Sequence, residues 1–167
     1  MKVFGFAGYS NSGKTTLIEM LIPRFVSLGL RISLIKHAHH GFDLDRPGKD
    51  SYRHREAGAT EVFLVSSKRW VLMHESRDEE EPSLEHQISM MAPCDLVLVE
   101  GFKYTAIPKI EVHRPANGKP LLYPDNPNII AVATDAPLQV ADVLLPILDL
   151  NDIDMIAAFI LKQVDLK

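Results

Sequence analysis

Eight consecutive positions, Gly8-Tyr9-Ser10-Asn11-Ser12-Gly13-Lys14-Thr15, match the spacing G-x-x-x-x-G-K-[ST] at every place. The chemistry this spacing serves is phosphate binding. Such a loop wraps a phosphate so that successive backbone N–H groups point inward. Gly8 and Gly13 permit the backbone angles and the close approach that this needs. The helix that follows adds its N-terminal dipole and free N–H groups. Lys14 is placed to reach the β- and γ-phosphates of a nucleoside triphosphate, and the Thr15 hydroxyl to ligate Mg2+.

A magnesium shell needs a further acid, which stands at the end of a neighbouring parallel strand in proteins with this loop. Glu100, after DLVLV, fits that place. Asp95 lies at the other end of the same strand, about 16 Å away by strand rise, so both cannot serve. Gly101 then lets the chain turn close to the γ-phosphate. The segment HAHHGFDLDRPGKD (37–50) holds His37, His39 and His40 beside Asp43 and Asp45. HxHH spacing is weak evidence for a metal centre. A switch loop after the second strand fits better, with Asp45 ligating Mg2+ directly or through water and Lys49 meeting a phosphate or an anionic partner. A plain solvated loop stays open as an alternative. Lys14 and Asp45 are the candidates for catalytic work.

The guanine-reading N-K-x-D or T-K-x-D is absent. Ala133-Thr134-Asp135 ends a late strand. Asp135 can accept hydrogen bonds from guanine N1 and N2, which adenine does not offer; an ordinary strand-end turn is the other reading. Residue chemistry alone does not choose GTP over ATP. No glutamine stands after the Glu100 strand to position water, which points to slow hydrolysis.

The elements that must position these groups follow from periodicity. KVFGFA (2–7) reads as a buried strand. From Gly13 to Leu28, Leu17, Ile18, Leu21, Ile22 and Phe25 form one apolar helical face. Pro23 should kink that helix or end its first half, and Gly29 closes it. RISLIK (31–36) completes a βαβ unit, hence a parallel sheet. Asp50 or Ser51 is placed to cap a short helix that Gly58 ends. TEVFLVS (60–66) and RWVLMHE (69–75) form an antiparallel hairpin. Ser83 caps a helix running to about Met91. Further strands are expected at 95–101, 108–114 and 128–135, with a last one at 143–148 whose Pro146 argues for a sheet edge. Asn151 caps a terminal helix. The fold expected is α/β, a P-loop NTPase with a mostly parallel sheet flanked by helices and an antiparallel hairpin, as one domain over 1–167.

Composition narrows the function. The chain has 167 residues, 46% of them apolar, enough for one core. A formal net charge of −4 speaks against a bulk electrostatic grip on nucleic acid. A single cysteine, Cys94, suits a reducing cytoplasm. No apolar run approaches the roughly 20 residues that span a bilayer, so no membrane role is expected.

The loop with its second threonine, then LIKHAHHGFDLDRPGKDSYRHREAGA, DLVLVEGFK and IAVATD, is similar to the MobB family, molybdopterin-guanine dinucleotide biosynthesis protein B. The resemblance runs from residue 2 to about 160, and the central run and VEGFK carry its specificity. It implies a fold of the group that includes the nitrogenase iron protein and signal-recognition GTPases. It also implies GTP and Mg2+ as cofactors, weak hydrolysis and a homodimer. The implied role is an adapter beside the MobA-like guanylyltransferase that joins GMP to molybdopterin, among other molybdenum-cofactor proteins. Position by position, the resemblance gives Gly8 to Thr16 to the phosphates, Thr15 and Glu100 to Mg2+, and Asp45 with Gly48-Lys49-Asp50 to the switch region. Part of that larger group carries a second lysine near the start of its loop. Tyr9 and Ser10 stand there in this chain, so a lysine acting across the dimer is not carried over.

The hairpin 60–75 is apolar on both strands, and a lone hairpin is marginally stable. Burial against a second subunit is the expectation. The competing reading is a small-molecule kinase, whose lid arginines would have to come from Arg46, Arg53 and Arg55.

Overall fold

The structure, a computed structural model, describes residues 1–38, 41–138 and 144–166. His39, His40 and Val143, the first residue of the last predicted strand, lie outside them. The chain divides into two compact units, Met1–His37 with Met91–Lys167, and Ala38–Met90.

In the first unit, alternation in β1 (Lys2–Ala7) sends Phe4 and Phe6 to one side of the sheet. The same side receives Leu96 and Leu98 of β5 (Leu96–Glu100), Ile110 and Val112 of β6 (Lys109–His113), and Ala131 and Ala133 of β7 (Ile129–Thr134). Two amphipathic helices cover it. α1 (Lys14–Ser27) buries Leu17, Ile18, Leu21 and Phe25, and α4 (Ile153–Gln163) buries Ile156, Ala157 and Ile160. The opposite face of β6 carries Lys109, Glu111 and His113, all buried. Segments 101–108 and 115–128 close over it: Lys109 Nζ donates to the Thr105 and Ile107 carbonyls, and the Glu111 carboxylate accepts the N–H groups of Leu122 and Tyr123.

With β2 (Ile32–Lys36) and β8 (Ile147–Asp149), the six strands run in the order β2-β5-β1-β6-β7-β8, every pair parallel. The βαβ unit is present, but β5 is inserted between its two strands. β1 therefore lies between β5 and β6, and Phe6 pairs in register with Glu100. The chain leaves β1 toward one side of the sheet and later returns to the other, which opens a crevice at the strands' carboxyl ends.

The second unit holds α2 (Asp50–Glu56), α3 (Leu84–Ser89) and the predicted hairpin. Its strands β3 (Glu61–Val65) and β4 (Trp70–His74) are antiparallel, with Val65 opposite Trp70.

Several local expectations change. α1 continues through Pro23, because Pro23 and Glu19, whose carbonyl loses its donor, both lie at exposed positions where water can satisfy it. Lys49, not Asp50 or Ser51, is the N-cap of α2; the Ser51 hydroxyl donates to Asp45 instead. Asp152 caps α4 by accepting the Met155 N–H, while Asn151 turns back to Asp149. The last strand begins only after Pro146, which has no N–H for a ladder; it is the sheet edge, beside β7.

Candidate functional site

The phosphate loop leaves β1 at Gly8 and enters α1 at Lys14. Gly8, Asn11 and Gly13 all have positive φ (145°, 65° and 94°). Alternating handedness of this kind turns consecutive N–H groups to one side. Gly8 is required sterically as well: a Cβ there would stand 2.5 Å from the Val112 carbonyl oxygen and 2.7 Å from Ser12 Oγ. Asn11 adopts the left-handed region as the residue type that tolerates it best after glycine.

The outer carbonyls of the loop are braced from β6 and the turn after it. Arg114 Nε donates to the Ser12 carbonyl at 3.1 Å, and Asn117 Nδ2 to that of Asn11 at 3.2 Å. No side chain caps α1, and its first turn holds no acid. The helix end is therefore fitted for an anion. Lys14 Nζ donates to the Gly8 and Tyr9 carbonyls at 2.9 and 2.8 Å, which holds its ammonium over the loop. Burial lowers the Lys14 pKa; nearby Glu100 raises it and Lys36 lowers it further.

Glu100, only 7% exposed, ends β5 beside the loop. Its Oε1 accepts the Thr15 hydroxyl at 2.9 Å, and its Oε2 lies 3.4 Å from Lys36 Nζ. Thr15 and Glu100 thus meet as the sequence required. A hydroxyl and a carboxylate together form a hard-oxygen donor set that suits Mg2+. Asp95, the rejected acid, accepts the Arg31 backbone N–H at 2.7 Å at the far end of β5.

The remaining loop residues divide between solvent and protein. Ser10 and Asn11 are exposed. Tyr9 packs against the cluster of Ala7, Leu122 and Ile129, with Lys103 Nζ 5.4 Å from its ring centroid. Ser12 is buried, and its Oγ has no partner among the described residues. Thr16 and Gly13 line a recess of about 130 Å³ beside the loop, with Met20, Arg114, Leu150 and Asn151. Asp135, past the end of β7, forms an ion pair with Arg114, so the residue that braces the loop also holds this carboxylate.

In the second unit, Asp45 is already engaged. It accepts from the Ser51 hydroxyl at 2.7 Å and from Arg55 Nε at 2.9 Å, and those two hydrogen bonds hold its carboxyl below the usual range. Arg55 also pairs with Glu75 and Asp43, which pushes its own pKa up. Lys49 is exposed at the start of α2. Among the described residues, no group of three or more His, Cys, Asp or Glu side chains is placed to hold a metal ion.

Residues 3–135 match a family described as MobB: Molybdopterin guanine dinucleotide synthesis protein B. The chain belongs to the MobB family. Among its curated relatives, the molybdopterin-guanine dinucleotide biosynthesis adapter protein of Escherichia coli is 45% identical over 163 residues, covering 96% of this chain and 91% of that protein. The Haemophilus influenzae protein of the same name is also 45% identical, over 95% of this chain and 86% of its own length. The solved structure of a MobB homologue from Bacillus stearothermophilus superposes with a TM-score of 0.73 at 26% identity, covering 99% of both chains. The MobB-family fold, an α/β P-loop fold with a mostly parallel sheet, is as the sequence led one to expect.

Sequence reading missed Lys36, Arg114 and Asn117. Lys36 ends β2, whose sheet neighbour β5 is distant in the chain, and Arg114 and Asn117 follow β6, which reaches the loop because it pairs with β1. The only signal for Lys36 and Arg114 was basic character at a strand's carboxyl end, and Asn117, in the turn after β6, had none.

Proposed function

We propose that this MobB-family chain is a GTP-binding adapter in biosynthesis of the molybdopterin guanine dinucleotide form of the molybdenum cofactor. It acts beside the guanylyltransferase that joins GMP to molybdopterin, as a homodimer in the cytoplasm. The observation that carries the nucleotide part is the convergence of Lys14, Thr15 and Glu100 on one braced loop. The adapter part rests on relatives that bear that name at 45% identity over nearly the whole chain.

In this reading the loop N–H groups and Lys14 bind the β- and γ-phosphates, and Thr16 lies where the helix continues the cradle. Thr15 and Glu100 hold Mg2+, which when bound neutralises phosphate charge. The base lies toward the recess beside Gly13 and Thr16, and Asp135, paired with Arg114 of its lining, accepts from guanine N1 and N2. Lys49 and Asp45 belong to the switch segment; Asp45 would have to leave Arg55 and Ser51 to reach a metal. No glutamine is placed after β5 to orient water, so hydrolysis is slow and the protein delivers or senses GTP.

Nothing among the relatives favours the kinase reading, and Arg55, one of the three arginines it needed, is held by Asp43, Asp45 and Glu75. The test is competition binding of GTP against ATP with Mg2+ present. A clear preference for GTP is expected. Equal affinity, or a preference for ATP, removes guanine from the function and leaves only the phosphate loop.

A further inference from the structure

The two oxygens of Glu100 face different partners. Oε1 accepts from Thr15, while Oε2 faces the Lys36 ammonium at 3.4 Å. Lys36 ends β2 in register with Glu100, and β5 lies between β2 and β1, so this lysine approaches the phosphate loop from the side opposite Arg114. The two partners differ in freedom: the Lys36 side chain is 55% exposed and that of Glu100 only 10%. The carboxylate is fixed, and the ammonium sits on a flexible stem in water.

Thr15 and Lys36 therefore share one carboxylate at the mouth of the loop, while the Lys14 ammonium is held by the Gly8 and Tyr9 carbonyls. With a divalent cation held by Thr15 and Glu100, the Lys36 ammonium would lose its partner carboxylate. The nearest compensating anion for an ammonium displaced there would be the γ-phosphate of a nucleotide held by the loop. A diphosphate offers no γ-phosphate to receive the Lys36 ammonium.

We propose that Lys36 determines specificity in this site: it leaves Glu100 to bind the terminal phosphate, so the protein holds a nucleoside triphosphate in preference to the diphosphate. The proposal rests on the phosphate-loop reading above and adds to it a residue from a different strand. Lys36 is a binding residue here, and no bond is made or broken through it.

The test is titration of the whole protein with fluorescently labelled GTP and GDP, both with Mg2+. The variants are Lys36→Met, Lys36→Arg and Lys14→Ala. A hydrogen bond to a charged group is worth about 1.5–3 kcal/mol, so Lys36→Met is expected to weaken GTP roughly 10- to 100-fold. GDP should change by no more than about twofold. Lys36→Arg should keep most of the preference for GTP. The ratio of the two affinities in one preparation is independent of the folded fraction. Equal losses for GTP and GDP in Lys36→Met would make Lys36 only a structural partner of Glu100, and no loss for either would make it irrelevant; both overturn the proposal. A wild type that binds neither nucleotide, or a Lys14→Ala variant that binds as well as the wild type, removes the phosphate-loop reading and this proposal with it.

Discussion

Thr15 and Glu100 are 85 positions apart in the chain and 2.9 Å apart in space. That one contact puts a hydroxyl and a carboxylate side by side at the loop, an oxygen pair of the kind a hard divalent cation takes. Substituting Glu100→Gln keeps the shape and an acceptor for Thr15 but removes the charge. We expect GTP affinity measured with Mg2+ to fall about tenfold or more, the scale of one charge-assisted hydrogen bond. Affinity in excess chelator should change little. Equal losses under both conditions would move the metal role to another residue. Asp45 shows the same chemistry with a different outcome. It too is a carboxylate in a plausible sequence context, but Ser51 and Arg55 already occupy its oxygens. Gly101 has a reason within the fold as well. Its φ is 101°, and a Cβ there would stand 2.9 Å from His37 Cβ, so the passage of His37 by itself demands glycine.

At the scale of the element, β6 is the informative case. Its sequence, KIEVH, alternates polar with apolar, the pattern of a strand with one face in water. All five residues are buried. Segments 101–108 and 115–128 cover the polar face and satisfy it with carbonyls for Lys109 and N–H groups for Glu111. Burial lowers the Lys109 pKa from 10.5 to about 8. Between those two pH values the unfolded chain holds more protons than the folded one, so stability rises with pH across that window. Below about pH 8 the amine is protonated in both states and this slope vanishes. The expected result is a wild-type Tm that climbs between about pH 8 and 10.5 relative to Lys109→Met at the same pH. A constant difference across the window would mean that Lys109 titrates normally.

At the scale of the whole molecule, the hairpin of the second unit buries Met73 on one face and leaves the other in water. Phe63, Val65 and Trp70 are 55%, 72% and 64% exposed, and the Phe63 and Trp70 rings stack with centroids 5.4 Å apart. Apolar area of this kind, left in water, favours association. We infer that a second copy covers it. Sedimentation over a wide concentration range should show a dimer, and Trp70→Glu should shift it toward monomer while leaving GTP binding by each chain intact. A wild type that stays monomeric at every concentration would remove the dimer reading.

The phosphate loop, most strand positions, the parallel sheet and the hairpin were legible in the sequence because each is a local matter. Glycine spacing, hydrophobic period and the residues that break them act over a few positions. Glu100 was also legible, since an acid at the end of a continuous apolar strand has few other readings. The sequence left open where β5 would pair, and it offered no role for Lys36, Arg114 or Asn117. Those depend on which strand lies next to which, and in this sheet β1 pairs with β5 and β6 but not with β2. Strand order is set by the packing of α1 and α4 on one face and by the coverage of Lys109, Glu111 and His113 on the other. The periodicity of those elements shows which face is apolar but not which strand lies beside which. Tertiary structure therefore decided which charges surround the phosphate loop, whereas the sequence alone determined that the loop is there.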